Sequence, residues 1–179
     1  MRAVTEQSGS EPADAALLAR IAAGDDEAFT TLVGRYERRF YAVARRMLGG
    51  DADAEDAVQT ALLRVYRNAS GYRDRWSGST WLYRVLTNVC IDHWRKRRQL
   101  AEAPDPGDAL ESRPADRLDI DRALAKLPAE ARAILLLCYI EGLPYAEIAR
   151  VRGISVNTVK TQLSRAKRLM RRHLSEVKT

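Results

Sequence analysis

The chain has 179 residues, with 30 Lys and Arg against 24 Asp and Glu, a net charge of +6 and a pI near 9.6. That length accommodates one medium domain or two small ones, and the basic balance points to an anionic partner. Two cysteines without a CxxC pair, and only two histidines, exclude a Cys/His zinc finger built from this chain alone and argue against a disulfide scaffold. No apolar run approaches a membrane span and no signal peptide is evident at the start, so a soluble, cytoplasmic protein without membrane insertion is expected.

Residues 1–12 mix Ser, Gly, Glu and Gln without periodicity and read as a disordered tail. From Ala13 to about Leu48 the pattern is helical: Leu17, Leu18 and Ile21 form a short stripe, and Gly24-Asp25-Asp26 marks a turn. Phe29, Leu32, Val33, Tyr36, Phe40, Val43, Ala44 and Met47 then recur at helix spacing until Gly49-Gly50. Asp51, Asp53, Glu55 and Asp56 follow, where carboxylates complement the dipole of a new helix and Asp53 is placed to cap it. Its stripe is Ala57, Val58, Ala61, Leu62, Val65 and Tyr66. Three close acids also suit a divalent metal, but no octahedral oxygen set is apparent and capping suffices, so neither metal nor cofactor is expected. Asp56 and Gln59 project from the early turns, free to meet a partner protein.

Ser70 to Gly78 reads as a loop carrying Tyr72, Arg73, Arg75 and Trp76. The helix expected next, Ser79 to Arg98, buries Leu82, Val85, Leu86, Val89 and His93, with Ser79 or Thr80 as cap. Beside that stripe run Trp81, Arg84, Asn88, Asp92 and Arg95 in a sector roughly 80° wide, ending in Lys96, Arg97 and Arg98. Rings for stacking and cations for phosphates suit a nucleic-acid strand with some bases unpaired. Cys90 here, and Cys138 further on, sit in apolar helical patterns as small buried thiols do.

Residues 100–119 hold Pro104, Pro106 and Pro114 with little apolar content and read as an acidic linker. Ile120 to Leu127 is a short helix pattern. Pro128-Ala-Glu130 opens a more apolar helix with Ile134, Leu135, Leu136, Leu137 and Tyr139, ended by Gly142-Leu143-Pro144. Tyr145 to Gly153 and Ile154 to Arg172 have the layout of a helix-turn-helix, with Gly153 at the tight turn and Ser155 as cap. The second helix buries Val156, Val159, Leu163, Ala166 and Met170 and turns out Asn157, Lys160, Thr161, Ser164, Arg165 and Arg168. Short polar groups followed by cations are what reach base edges and phosphates in a major groove.

Two basic helical modules joined by an acidic linker resemble an extracytoplasmic-function (ECF) sigma factor of bacterial RNA polymerase. AFTTLVGRY, DAEDAVQTALLRVYRN and STWLYRVLTNVCIDHWRKRR are similar to the segments of sigma region 2 in order; LPAEARAILLLCYIEGLPYAEIARVRGISVNTVKTQLSRAKRLMR is similar to region 4. The resemblance implies an all-α fold of two small domains, a region 2 helical bundle (13–99) and a region 4 helix-turn-helix (120–179), on a flexible linker (100–119). It implies that Asp56, Gln59 and Arg64 dock on the clamp helices of the polymerase's largest subunit. The flap of the second-largest subunit and an anti-sigma factor are its other implied protein partners. Tyr72 and Trp76 would belong to the loop that receives a base flipped from the −10 element of promoter DNA. Trp81, Arg84, Asn88, Asp92, Arg95, Arg97 and Arg98 would separate and hold the strand. Asn157, Lys160, Thr161, Ser164, Arg165 and Arg168 would contact the −35 duplex. Many relatives carry glycine where this chain has Asn157.

The rival readings are a stand-alone helix-turn-helix regulator and a DNA-cleaving enzyme. The regulator would favour a two-fold-symmetric site, which an asymmetric first module does not suit. The enzyme needs a placed nucleophile or metal-binding carboxylates, and the only acidic cluster fits a helix start better. No enzymatic activity is expected.

Overall fold

The computed structural model describes residues 13–73, 75–100 and 115–177. Every regular element among them is helical: α1 (Asp14–Ala22), α2 (Asp26–Leu48), α3 (Asp51–Asn68), a 3-10 turn (Ala69–Gly71), α4 (Gly78–Leu100), α5 (Ala115–Ala125), α6 (Ala129–Tyr139), α7 (Tyr145–Arg152) and α8 (Val156–Val177). This is the all-α, two-module architecture expected.

The helix boundaries have local causes. Asp25 caps α2 by accepting from the Ala28 amide at 3.0 Å, and Gly49 ends it at φ +85°, a conformation an L side chain rarely adopts. Ser77 caps α4, its Oγ accepting from the Thr80 amide at 3.2 Å; neither Ser79 nor Thr80 does so, because the helix starts one residue earlier than expected. Helix α3 starts at Asp51 without a side-chain cap. Asp53 reaches instead to His93 Nε2 at 3.1 Å and Arg97 at 2.7 Å, so it ties α3 to α4. Gly153 turns at φ +67° between α7 and α8, and Ser155 caps α8 through the Thr158 amide at 3.1 Å, both as expected.

The first module buries Leu17, Leu18, Leu32, Tyr36, Phe40, Val65, Leu82, Tyr83 and Leu86 almost completely. Tyr36, Phe40 and Tyr83 pack ring on ring at 5.4–6.0 Å. The second module buries Ile134, Leu137, Ile148, Val159, Leu163 and Ala166. Each full burial of such an aliphatic or aromatic side chain contributes about 1.5–3 kcal/mol. The two cores merge into one contiguous apolar cluster.

Several stripe assignments need correction. His93 is only part-buried, its Nε2 in hydrogen-bond contact with the Asp53 carboxylate. Tyr66 is 40 % exposed, its hydroxyl donating to Asp26 at 2.8 Å while its ring meets Phe29 edge-on. Tyr139 and Val156 are also exposed. Tyr66, Tyr139 and Val156 are tyrosines or a helix-end residue that satisfy the spacing but lie at the rim of the core, while His93 is drawn to the carboxylate of α3. Helix α5 opens at Ala115, inside the stretch read as linker; residues 101–114 of that stretch, and the tail 1–12, lie outside the described residues. Nor are the two modules separate. Helix α4 packs on α7, and α2 on α5 and α6.

Candidate nucleic-acid interfaces

The loop before α4 is folded on itself by its own side chains. The Tyr72 hydroxyl donates to the Trp76 carbonyl at 2.6 Å, and the Tyr72 ring meets Trp81 edge-on at 6.0 Å. Arg73 donates to the Ser70 and Tyr72 carbonyls. Trp76 is held by cations: the Arg84 guanidinium lies 4.6 Å and that of Arg75 5.4 Å from its ring centroid. Each such contact contributes about 0.5–1 kcal/mol near solvent and more when water is excluded. The result is a cationic plate of π-faces, suited chemically to a base that has left its stack.

Helix α4 continues that plate. Trp81 and Arg84 are half-buried, while Asn88, Asp92 and Arg95 are exposed at the three-and-four spacing of one face. The amide oxygen of Asn88 accepts from Arg152 at 3.0 Å. Asp92 pairs with Arg64 at 3.6 Å, Arg95 with Glu130 at 3.7 Å and Arg97 with Asp53 at 2.7 Å. The side chain of Arg98 lies outside the described residues. The pairing of Arg64 with Asp92 brings one residue assigned to protein docking onto one assigned to DNA, so those two surfaces adjoin. Burial pushes the Cys90 thiol up to about 12, so it stays protonated and unreactive in the α4 core.

Helix α3 presents Asp56, Gln59 and Arg64 to solvent. Gln59 also lines an open hollow between α2 and α3 with Glu37, Arg38, Tyr41, Glu55 and Val58. Asp51, at the start of α3, accepts from Tyr41 at 2.9 Å and from Arg45. Two of the four helix-start acids, Asp51 and Asp53, are thus engaged by side chains within the fold.

Helix α8 separates its faces cleanly. Val159, Leu163 and Ala166 are buried, and Asn157, Lys160, Thr161, Ser164, Arg165 and Arg168 are all exposed. A helix that follows a tight glycine turn and turns out amides, hydroxyls and cations together has the form of a major-groove reader. Two residues that matter to these sites escaped the sequence reading as site residues. Arg75 flanks Trp76, and its adjacency in SGYRDRWSG was the available signal. Arg152 engages Asn88 from 64 residues away, for which a linear pattern carries no signal.

Comparison with known proteins converges on one family. Residues 32–99 match Sigma-70 region 2, and residues 117–170 match Sigma-70, region 4. The chain is 34 % identical to the ECF RNA polymerase sigma factor SigM of Mycobacterium tuberculosis, over 94 % of this chain and 88 % of that one. It is 32 % identical to the ECF RNA polymerase sigma factor SigW of Bacillus subtilis, over 86 % of this chain and 92 % of that one. Among solved structures it is similar to CnrH in complex with the cytosolic domain of CnrY, with a TM-score of 0.73 and 26 % identity, covering 92 % of this chain and 99 % of that chain.

Proposed function

This chain belongs to the extracytoplasmic-function sigma factors, and from that premise we propose how its surfaces divide the work of starting transcription. It is a promoter-recognising factor of RNA polymerase: it binds the core enzyme, selects promoters through −35 and −10 elements, and opens the DNA. The module comprising α1–α4 takes the −10 element and the module comprising α5–α8 the −35 element.

Asp56, Gln59 and Arg64 on α3 meet the clamp helices of the largest subunit. Trp76, flanked by Arg75 and Arg84, supplies the surface on which a base extruded from the non-template strand stacks, with Tyr72 and Trp81 bracing the loop. Extruding a base costs a few kcal/mol, and stacking on aromatic side chains returns about 1–3 kcal/mol per base. Asn88, Asp92 and Arg95 line the path of the strand, and Arg97 and Arg98 carry its phosphates on toward the end of α4. In the other module Lys160, Thr161, Ser164 and Arg165 enter the major groove of intact duplex, with Asn157 and Arg168 at its margins. The observation that carries this reading is the α8 face, six polar or cationic residues exposed together opposite three buried apolar ones.

The factor has no catalysis of its own; the chemistry belongs to the polymerase, and the cytoplasm is where it works. Among the described residues no helix is long and apolar enough to cross a membrane. CnrH is seen with CnrY bound, and by analogy an anti-sigma factor holds this chain until its signal arrives. A stand-alone regulator is not favoured, because the chain carries both sigma modules. The test is transcription in vitro, with core polymerase and this protein over fragmented genomic DNA. The reading predicts transcripts from a limited set of promoters sharing two separated motifs. Failure to bind core, under conditions where another sigma factor binds, would end it.

A further inference from the structure

Helix α1 is the element to which the division of labour above gives no task. It lies ahead of the residues that match Sigma-70 region 2. Leu17, Leu18 and Ile21 bury its inner face in the first module. Its other contacts fall at both ends of the loop that carries Tyr72 and Trp76. On the entering side, α1 packs against the 3-10 turn Ala69–Gly71. Tyr72 follows that turn directly, its amide donating to the Ala69 carbonyl at 3.0 Å and its hydroxyl to the Trp76 carbonyl at 2.6 Å. On the leaving side, the first turn of α1 lies on Gly78, where a Cβ would stand 2.5 Å from that of Asp14. Trp76 is two residues from that crossing, with the α4 cap Ser77 between. Asp14 secures the helix in this place. Its side chain is 17 % exposed and accepts from Arg35 at 2.5 Å and from the Tyr36 hydroxyl, both on α2. Tyr36 is buried, and its ring meets Tyr83 of α4 edge-on at 6.0 Å. One carboxylate thus joins α1 to α2 and, through a ring, to α4.

We propose that Asp14 is a positioning residue for promoter opening: through α1 it holds both ends of the loop, so that the Trp76 ring is already in place when a base leaves its stack. The inference rests on the reading of that loop given above. A loop fixed only by its own side chains keeps conformational freedom that binding must then remove. Fixing its two ends within the folded module moves that ordering cost from binding to folding, and affinity for the extruded base rises without any new contact to DNA. Asp14 touches neither the strand nor the polymerase in this account; it acts through the loop alone. Its removal also takes the acceptor from a buried tyrosine hydroxyl, which costs more than the bond itself contributes. The attachment of α1 is therefore sensitive to this one side chain.

The test uses the full chain with core polymerase and a pre-melted promoter whose non-template strand carries an abasic site at each −10 position in turn. Fluorescence anisotropy gives the affinity of the holoenzyme for each strand. The unsubstituted protein is expected to lose roughly tenfold or more at one position, as removal of a stacked base does. Asp14→Ala is expected to weaken binding of the intact strand and to shrink that ratio below about threefold, because the ring is no longer pre-placed. Core binding, read by competition with another sigma factor, stays unchanged. A purely structural role lowers the amount of folded protein but leaves the ratio alone, so the ratio is compared between proteins of equal helicity by circular dichroism. Asp14→Asn keeps an acceptor for Tyr36 and restores the ratio. Should Asp14→Ala fold poorly, Tyr36→Phe removes one donor, keeps the buried ring and shrinks the ratio in the same direction. An unchanged ratio in folded Asp14→Ala, or in Tyr36→Phe in its place, would overturn the proposal, as would an asparagine variant no better than alanine. If the unsubstituted protein responds to no abasic position, the reading of the loop itself fails and the proposal falls with it, so the two failures appear in different proteins.

Discussion

Trp76 is where the residue-level account is most exposed to test. Its ring is flanked by Arg84 at 4.6 Å and Arg75 at 5.4 Å, so the loop presents stacking surface and positive charge at one point. Trp76→Ala removes the stacking surface and leaves untouched the α3 face proposed to dock on the polymerase. The expected outcome is an open complex on a pre-melted promoter weakened roughly 10- to 100-fold, matching about 1–3 kcal/mol per stacked base, with core binding unchanged. Fluorescence anisotropy of the labelled promoter checks the first, and competition with another sigma factor for core checks the second. Phenylalanine at the same position retains a π-face and restores much of the effect; a variant equal to alanine would show that stacking is not the function. At this scale the sequence was a good guide where a side chain's role depends on near neighbours. The Tyr72 and Trp76 loop, the Ser155 cap and the Gly153 turn all follow from residues within a few positions. Asp53 was misjudged because a carboxylate at a helix start has two satisfying fates. A partner 40 residues away, His93, decided between them.

Between elements, the decisive contacts are those that bring α1 onto α4. A Cβ on Gly78 would stand 2.5 Å from the Asp14 Cβ and 3.0 Å from the Ala15 backbone nitrogen, so α1 crosses the start of α4 at a distance only glycine permits. Asp14 in turn accepts from Tyr36 and Arg35 of α2, which ties α1 to α2 beside the start of α4. Gly34, inside α2, is a counterexample: a Cβ there meets nothing within 4 Å. Gly78→Ala is therefore expected to destabilise by about 1–3 kcal/mol through overpacking, despite alanine's better helix propensity. Gly34→Ala should stabilise by about 0.5–1 kcal/mol through that propensity alone. Denaturant melts of the two variants check both signs, and equal effects would refute the close crossing. Helix periodicity made α2, α3 and α8 legible because each buries a single stripe. It over-assigned Tyr66 and Tyr139, since a tyrosine spends its apolar ring at the rim of a core and keeps its hydroxyl near water. Helix α5 began earlier than composition suggested, because Pro114 permits a helix immediately after it and Ala115 to Asp119 hold no breaker.

For the whole molecule, the separation into an amino-terminal and a carboxy-terminal module was readable from the proline-rich acidic stretch between two basic helices. Their docking was not. Glu141 meets Arg39 across 102 residues and Tyr83 across 58, and no periodicity links such positions. The charge distribution has a consequence at the same scale. Residues 101–119 hold six acids and two arginines, net −4, so the rest of the chain carries +6 − (−4), or +10. Promoter binding by the holoenzyme should accordingly weaken steeply with added salt, as phosphate neutralisation requires. The central claim is the partition of the promoter between α4 and α8, and one measurement addresses it directly: the promoter motifs selected from a randomised library by holoenzymes carrying Asn88→Ala or Arg165→Ala. The account predicts that Asn88→Ala relaxes the motif at −10 alone and Arg165→Ala at −35 alone, with about 1–3 kcal/mol of discrimination lost at the affected base pairs. Unchanged promoter choice in both variants, or a change in the opposite motif, would contradict it.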